Sequence, residues 1–363
     1  MNILIINSQG HWINGWMSFP ESLNSVVKTL QESNCEIETV EVQSLEELHL
    51  VLEEVEQDTL IWANAYLVNS KNGKEHNLIE QVQQYNLPIL GSNSETLLKL
   101  LEKDTCQQIL EKDGIPVPEY FTINKTDIER ADDFIRDNKL PFPLIIKPTK
   151  ESRSNGITKV DNKEEAIIII EQLGYKYPNS NIIVEEFLPT DDITCGFLRL
   201  GDEIMLLPSY NVITGMDCTK EILSAAHYEL PPSYKKEVII QDSNILGQLE
   251  KYVPLIVNLL EIHSFTRVDG RLDQNGVLKF FDINGMPGLN YSASAIIKQC
   301  IVHFPSYSEE YLFQALINTI VLENLDKYNL PAPPKMRTNH LFNLKSESVI
   351  KLKLEEQHLQ DSV

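Results

Sequence analysis

The sequence predicts two architectures in succession, a parallel α/β domain and then a mixed α+β body, and three textures carry that expectation. Up to about Gly91, short apolar runs alternate with stretches whose apolar residues fall at helical spacing, the pattern of strands and helices packed in layers. Between Tyr120 and Glu186, short strand-like runs surround one helical stretch. Beyond Ile193 strand patterns predominate, with long helical stretches between and after them, which fits an antiparallel sheet with helices on one side.

In chain order, the first texture reads as a strand at Asn2–Ile6, a helix at Glu21–Glu32, a strand at Ile37–Val42, a helix at Glu46–Glu56, and strands at Thr59–Ala63 and Ile89–Leu90. Ser94 is the expected N-cap of a helix reaching about Lys103, because its hydroxyl can accept from an orphan backbone N–H. Lys103–Lys112 continues as helix until Gly114 and Pro116 break it. The second texture gives strands Tyr120–Ile123, Leu144–Lys147, Lys159–Val160 and Ile182–Glu186 around the helix Lys163–Leu173. The third gives strands Ile193–Leu200, Glu203–Leu207, Asn211–Thr214, Phe265–Asp273 and Val277–Asn284, with helices at Leu246–Leu260 and Glu309–Leu325. Pro331–Pro334 then marks the end of the globular part, and Lys345–Val363 reads as a loose helix or a disordered tail. The expected units are residues 1–93, an N-terminal α/β domain; 94–187, a lid; 188–330, a subdomain carrying the metal and substrate site; and 331–363, the tail.

Composition removes several classes of function. With 363 residues, 42% of them hydrophobic, and a formal charge of −22, the chain is a multi-domain globular protein poor in the clustered cations a nucleic acid requires. The longest apolar run, near Ala166–Ile170, is far below the roughly 20 residues of a membrane span. Neither nucleic acid nor membrane is an expected partner, and the expected location is the cytoplasm. Cys35, Cys106, Cys195, Cys218 and Cys300 are an odd number without a CxxC pair, so reduced thiols are expected.

Three stretches carry chemistry. In Phe265–Ser294, Arg267 and Asp269 lie two apart on one strand, and Asp282 and Asn284 lie two apart on the next, beyond a turn at Gly276. Side chains two apart share a strand face, so a hairpin would gather two carboxylates, an amide oxygen and a guanidinium. Hard divalent cations take such oxygens and leave places for substrate phosphates. In Leu144–Ile157, a strand delivers Lys147 to the start of a loop of small residues, Thr149–Asn155, closed by Gly156; such loops can cover a triphosphate with backbone N–H groups. No GxxxxGK occurs anywhere. In Ile182–Asp192, an acidic strand end turns through Pro189, so backbone at Phe187 and Leu188 can meet a purine edge. Each stretch has a plain alternative: solvated strand acids, a surface loop, and an acidic strand end.

The order and spacing of these residues resemble the ATP-grasp nucleotide site, in its D-alanine–D-alanine ligase branch, from about Gly91 to Leu325. The resemblance implies an ATP-grasp fold preceded by a parallel α/β domain, and an ATP-dependent, ADP-forming ligase that makes amide or peptide bonds through an acyl phosphate. It implies that Lys103, Lys147 and Ser154 contact ATP phosphates, and that Glu185, Phe187 and Leu188 hold the adenine. Asp192 would take the ribose and Lys220 the terminal phosphate. Asp269, Asp282 and Asn284 would hold Mg²⁺, with Mn²⁺ as a substitute, and Asp192 and Asp282 stand where glutamates are more usual. Arg267 and the Gly288 N–H would face the oxyanion, where preorganised donors are worth about 3 kcal/mol, while Arg153 and Ser292 would meet substrate. A homodimer is compatible with this reading.

The family's grip on a donor ammonium uses a first-loop glutamate, a phosphate-loop serine and a tyrosine beside the later lysine. Here the first loop, QGHWINGWMSFPES, has Glu21 as its nearest acid, and Arg153 and Glu221 stand at the other two places. The expected substrates are therefore amino acids or small peptides other than a D-alanine pair. His11, Trp12, Trp16 and Phe19 would either line a larger pocket or serve as core. A phosphate-transferring kinase or carboxylase without amide formation is the rival enzyme, and a non-catalytic nucleotide-binding homologue is the rival outside catalysis.

Overall fold

The computed structural model describes residues 1–12, 15–224, 227, 231–291 and 294–353. Its N-terminal region opens with strand β1 (Asn2–Ser8), helix α1 (Pro20–Glu32), β2 (Glu36–Val42), α2 (Leu45–Glu53) and β3 (Leu60–Ala63). β1 lies between β2 and β3 and is parallel to both, with Ile61 bridging in parallel to Ile89. The chain that leaves each strand must therefore cross back over the sheet, and the helices supply those crossovers. A two-stranded hairpin, β4 (Leu67–Asn69) and β5 (Glu75–Asn77), and helix α3 (Leu78–Gln83) follow; the sequence reading did not anticipate them.

Helix α4 (Ser94–Leu101) begins one residue earlier than expected. Asn93, not Ser94, is the cap, and its side-chain oxygen accepts from the Thr96 N–H at 2.8 Å. Asn93 has extended backbone (φ −72°, ψ 172°), the conformation a cap needs, which places Ser94 inside the first turn. α5 (Lys103–Lys112) starts after a break at Glu102.

The lid contains β6 (Tyr120–Ile123), α6 (Ala131–Asn138), β7 (Leu144–Pro148), β8 (Thr158–Val160), α7 (Lys163–Lys176) and β9 (Ile182–Glu186). Its four strands run antiparallel in the order β6-β9-β7-β8. The lid thus has two helices where the sequence suggested one. α6 went unread because, within ADDFIRDN, only Ala131 and Ile135 are buried.

The largest sheet is built from β10 (Asp192–Leu200), β11 (Glu203–Ile213), β12 (Lys235–Ile239), β13 (Phe265–Leu272) and β14 (Leu278–Asn284), in the order β12-β11-β10-β13-β14. Helices α8 (Ser243–Leu259), α9 (Ala295–His303), α10 (Glu309–Lys327) and α11 (Pro334–Thr338) complete the body with β15 (Ile350–Lys353). Two expected strands, Glu203–Leu207 and Asn211–Thr214, are one strand. Proline is confined to strand positions where no ladder donor is needed. On one edge of β11, residues 203–206 pair with β15 and residues 209–213 pair with β12, so Pro208 falls in the gap between two partners.

β15 also corrects the tail. Residues 350–353 form a strand antiparallel to Glu203–Leu206, with Ile350 and Leu352 packed against the core beneath; residues 354–363 lie outside the described residues. The core of the N-terminal sheet is continuous with α10 and with Leu198, Met205, Leu207 and Phe265 of the large sheet. Trp16 of the first loop is fully buried, its ring 4.4 Å from that of Phe265. The first loop is thereby fastened to the hairpin β13–β14. Among the described residues no helix is long and apolar enough to cross a membrane, and all five cysteines are free.

Candidate active site

A cavity of about 440 Å³ lies between the lid and the large sheet, within the size range of small-molecule sites. β7, β9 and the loop 151–157 form its roof, the large sheet its floor, and the first loop one wall.

The floor is set by register. β13 and β14 pair Arg267 with Asn284 and Asp269 with Asp282, so all four side chains rise on one face. Arg267 grips Asp269 with two donors, Nε at 3.0 Å and Nη2 at 2.8 Å. Thr194 Oγ1 on β10 donates to the same carboxylate at 2.7 Å, and Asn284 Nδ2 donates at 3.0 Å. Asp282 faces Lys103, whose Nζ is 3.6 Å away at the start of α5 and also donates to the Glu151 carbonyl at 2.7 Å. One cation thus joins the metal-type face to the phosphate-type loop.

In the roof, Lys147 and Glu185 form an ion pair of 2.8 Å with both side chains almost wholly buried, and Gln107 donates to the second oxygen of Glu185. Removing one partner of such a pair typically costs 3–5 kcal/mol, about the stability of a marginal domain, so Lys147 and Glu185 have a structural role beside any role with nucleotide. In the loop, Arg153 and Ser154 both have φ of +56°. Left-handed backbone at two successive residues with side chains is strained, and such strain gathers at ligand-binding turns. Gly156, at φ +75°, packs so closely on Pro148 that a Cβ would sit 2.8 Å from its ring. The Arg153 guanidinium lies 5.7 Å from the centre of the Phe19 ring.

At the adenine end, the Phe187 N–H donates to the Pro143 carbonyl, and the Leu188 carbonyl accepts from Thr190 and Arg271. A purine edge would have to use the other two backbone groups, the Leu188 N–H and the Phe187 carbonyl. Asp192 is bound by Arg271 Nε at 2.6 Å, and the same guanidinium reaches the carbonyls of Cys218 and Glu221. Arg271 therefore ties the hinge to the loop after Ile213. That loop contributes Ile222 and Leu223 to the cavity.

The structure brings Lys103, Lys147, Arg153, Ser154, Glu185, Phe187, Leu188, Asp192, Arg267, Asp269, Asp282, Asn284 and Gly288 to one cavity. Lys220 stands apart from it, exposed and paired with Asp217 at 3.1 Å. Ser292 lies outside the described residues. From the first loop, Gly15, Ser18 and Phe19 line the cavity while Trp16 is core, and Glu21 is an exposed residue in the first turn of α1.

Sequence reasoning missed Thr194, Arg271, Lys235, Glu237 and Lys298, which also line the cavity. Burial pushes the Glu237 carboxyl up to about 7, although Ser209 donates to it. Burial, with Lys298 and Arg153 nearby, pushes Lys235 down to about 8. The available signal was the alternation around Lys235 and Glu237 between Pro231–Pro232 and Asp242–Ser243, which marks a short strand without saying what its side chains face.

Among the described residues no group of three or more His, Cys, Asp and Glu side chains is placed to hold a metal. The oxygen set of Asp269, Asp282 and Asn284 instead suits an ion that takes two carboxylates and completes its shell with phosphate oxygens and water, as Mg²⁺ does.

Known proteins of similar sequence and fold bear on this site. The family model described as "D-ala D-ala ligase C-terminus" matches residues 109–309. A D-alanine–D-alanine ligase A of Bacillus cereus is 24% identical over 226 residues, covering 62% of this chain and 70% of the relative. A D-alanine–D-alanine ligase of Aquifex aeolicus is 25% identical over 270 residues, covering 73% and 84%. In fold, the chain is similar to a Bacillus anthracis D-alanine–D-alanine ligase complexed with ATP (TM-score 0.64, 18% identity, 91% of this chain and 98% of that one). It is also similar to the VanG D-Ala:D-Ser ligase of Enterococcus faecalis (TM-score 0.63, 18% identity, 89% and 100%).

Proposed function

This chain belongs to the D-ala D-ala ligase family and is an ATP-dependent, ADP-forming ligase that makes a C–N bond; from that premise we propose that it joins amino acids or small peptides other than two D-alanines. The observation that carries the reading is the hairpin face: Arg267, Asp269, Asp282 and Asn284 meet Lys103 in the cavity roofed by Lys147.

The reaction has two steps. A carboxylate oxygen of the first substrate bonds to the terminal phosphorus of ATP, and ADP leaves. The amine nitrogen of the second substrate then bonds to the acyl carbon; phosphate leaves and the amine's proton passes to solvent. Lys103 and Lys147 neutralise phosphate charge, and the strained loop 151–157 covers the acyl phosphate against water. Arg267 and the Gly288 N–H meet the negative charge that develops on the acyl oxygen. Asp269, Asp282 and Asn284 would hold Mg²⁺, which supplies charge neutralisation at the phosphates. Lys220 would reach the terminal phosphate only if its loop swings inward from its exposed position.

The substrate restriction rests on the first loop. No acid of that loop lines the cavity among the described residues, and the Arg153 guanidinium of the phosphate loop lies 5.7 Å from the centre of the Phe19 ring. An ammonium there would meet a cation without a carboxylate partner, and a lost charged hydrogen bond costs roughly 1.5–3 kcal/mol, or about ten- to a hundredfold in affinity. ADP release with D-alanine alone is therefore expected to run at least about tenfold below the best member of an amino-acid and carboxylate panel at equal concentration. D-alanine matching the best of the panel would refute the restriction.

A further inference from the structure

Arg271 stands on β13 two residues beyond the metal-type carboxylate Asp269, at the wall of the cavity, and is only 4% exposed. A buried guanidinium has to find acceptors for a rigid, planar set of five N–H donors. Arg271 draws them from two segments distant in sequence. On the hinge, Nε donates to Asp192 Oδ1 at 2.6 Å and Nη1 to the Leu188 carbonyl at 3.0 Å. On the loop after Ile213, Nη1 donates to the Cys218 carbonyl at 3.3 Å and Nη2 to the Glu221 carbonyl at 3.4 Å.

The hinge is fastened a second time. Thr190 Oγ1 accepts from the Leu272 N–H at 3.0 Å and donates to the Leu272 carbonyl at 3.1 Å, so two successive residues of β13 hold it. The loop side is a tight turn. The Asp217 carbonyl accepts from the N–H groups of Lys220 and Glu221 at 2.9 and 2.8 Å, and the Asp217 carboxylate accepts from the Thr219 hydroxyl at 2.6 Å. The two carbonyls on Arg271 lie on either side of Thr219 and Lys220, and two anchors on one planar group fix a turn in orientation as well as in place. Ile222 and Leu223 follow directly and line the cavity. Of the four acceptors, Asp192 alone is a side chain, and Arg271 engages its Oδ1. A hydroxyl donating to Oδ2 would therefore immobilise the carboxylate without breaking the ion pair.

We propose that Arg271 is a positioning residue that joins ribose recognition to the segment carrying Lys220. A ribose hydroxyl held by Asp192 fixes the Asp192–Arg271 pair, and Arg271 passes that order to the turn Asp217–Glu221, setting the backbone on both sides of Lys220. The proposal rests on the reading that Asp192 takes the ribose. Such coupling is reciprocal: whatever factor the hydroxyl contributes to ordering the turn, the ordered turn returns to hydroxyl binding.

The test needs binding and no turnover. Full-length enzyme is saturated, in Mg²⁺, with ADP or with 2′,3′-dideoxy-ADP, which differ only in the two hydroxyls; hydrogen–deuterium exchange is followed across residues 217–223, beside calorimetric Kd values. ADP is expected to bind about tenfold more tightly, the scale of one charged hydrogen bond, and to slow exchange of the turn about threefold relative to the dideoxy complex. In Arg271→Lys an ammonium keeps the charge beside Asp192 but lacks the fork that spans three carbonyls. There the difference in exchange should fall to onefold, while the preference in affinity falls by no more than about threefold, as reciprocity requires.

Equal exchange in the two wild-type complexes would overturn the proposal without any variant having to fold. A difference in exchange that persists in Arg271→Lys would also overturn it, because the fork would not be the link. Equal affinity of the two nucleotides in the wild-type enzyme would overturn it together with the placement of the ribose at Asp192. Failure of the ligase reading looks different: the hydroxyls are recognised and the turn responds, but no amine brings about ADP release.

Discussion

Asp282→Asn is expected to abolish most turnover while leaving the fold intact. Asparagine has the same shape, the hairpin is held by backbone pairing and by the Arg267–Asp269 grip, and the Lys103 contact is a long one of 3.6 Å. Loss of that contact should change stability by no more than about 0.5–1 kcal/mol. Removing the carboxylate, however, takes away half of the charge the face presents to a divalent ion. Metal-assisted neutralisation is worth several kcal/mol in the transition state, so kcat should drop on the order of a hundredfold or more. Thermal unfolding and steady-state kinetics on one preparation check both halves. A variant with near-normal kcat would remove Asp282 from the chemistry, and one that fails to fold would make it structural.

Arg267→Lys is the second large effect. Lysine keeps the positive charge, so a merely electrostatic role would survive the change. The guanidinium instead supplies a planar fork, with Nε and Nη2 on Asp269, that fixes where its remaining donors point. If those donors meet the acyl oxyanion, losing their aim should lower kcat by roughly 10²- to 10³-fold, with KM for ATP changed far less, since the charge matters only as the reaction proceeds. A loss confined to KM would place Arg267 in ground-state binding.

Those two residues were readable in the sequence, and the reason is periodicity. Arg267 with Asp269, and Asp282 with Asn284, are close in sequence on a hairpin, so a period of two and one turn suffice to bring them together. The lid strands at Tyr120 and Ile182 were legible because turn residues bound each of them. By contrast Lys235 and Lys298 meet across 63 residues, through a packing of α9 on β12 that no local pattern announces. Arg271 reads as an ordinary strand cation until Asp192 and the loop carbonyls are seen around it. Pro208 looked like a strand end because its lost donor is harmful in most ladders, and only the change of partner from β15 to β12 makes it harmless. The tail strand misled for a related reason: KLK is too short and too charged to declare itself without the β11 edge that it covers.

The proposed reaction passes through an acyl phosphate, and the most direct measurement follows its oxygen. Turnover with pooled amino acids whose carboxylates carry a heavy-oxygen label should transfer that label into inorganic phosphate, in amount equal to the ADP and the amide formed, because the carboxylate oxygen that attacks phosphorus leaves with it. Unlabelled phosphate accompanying ADP would mean that water attacks the nucleotide, and would contradict the account.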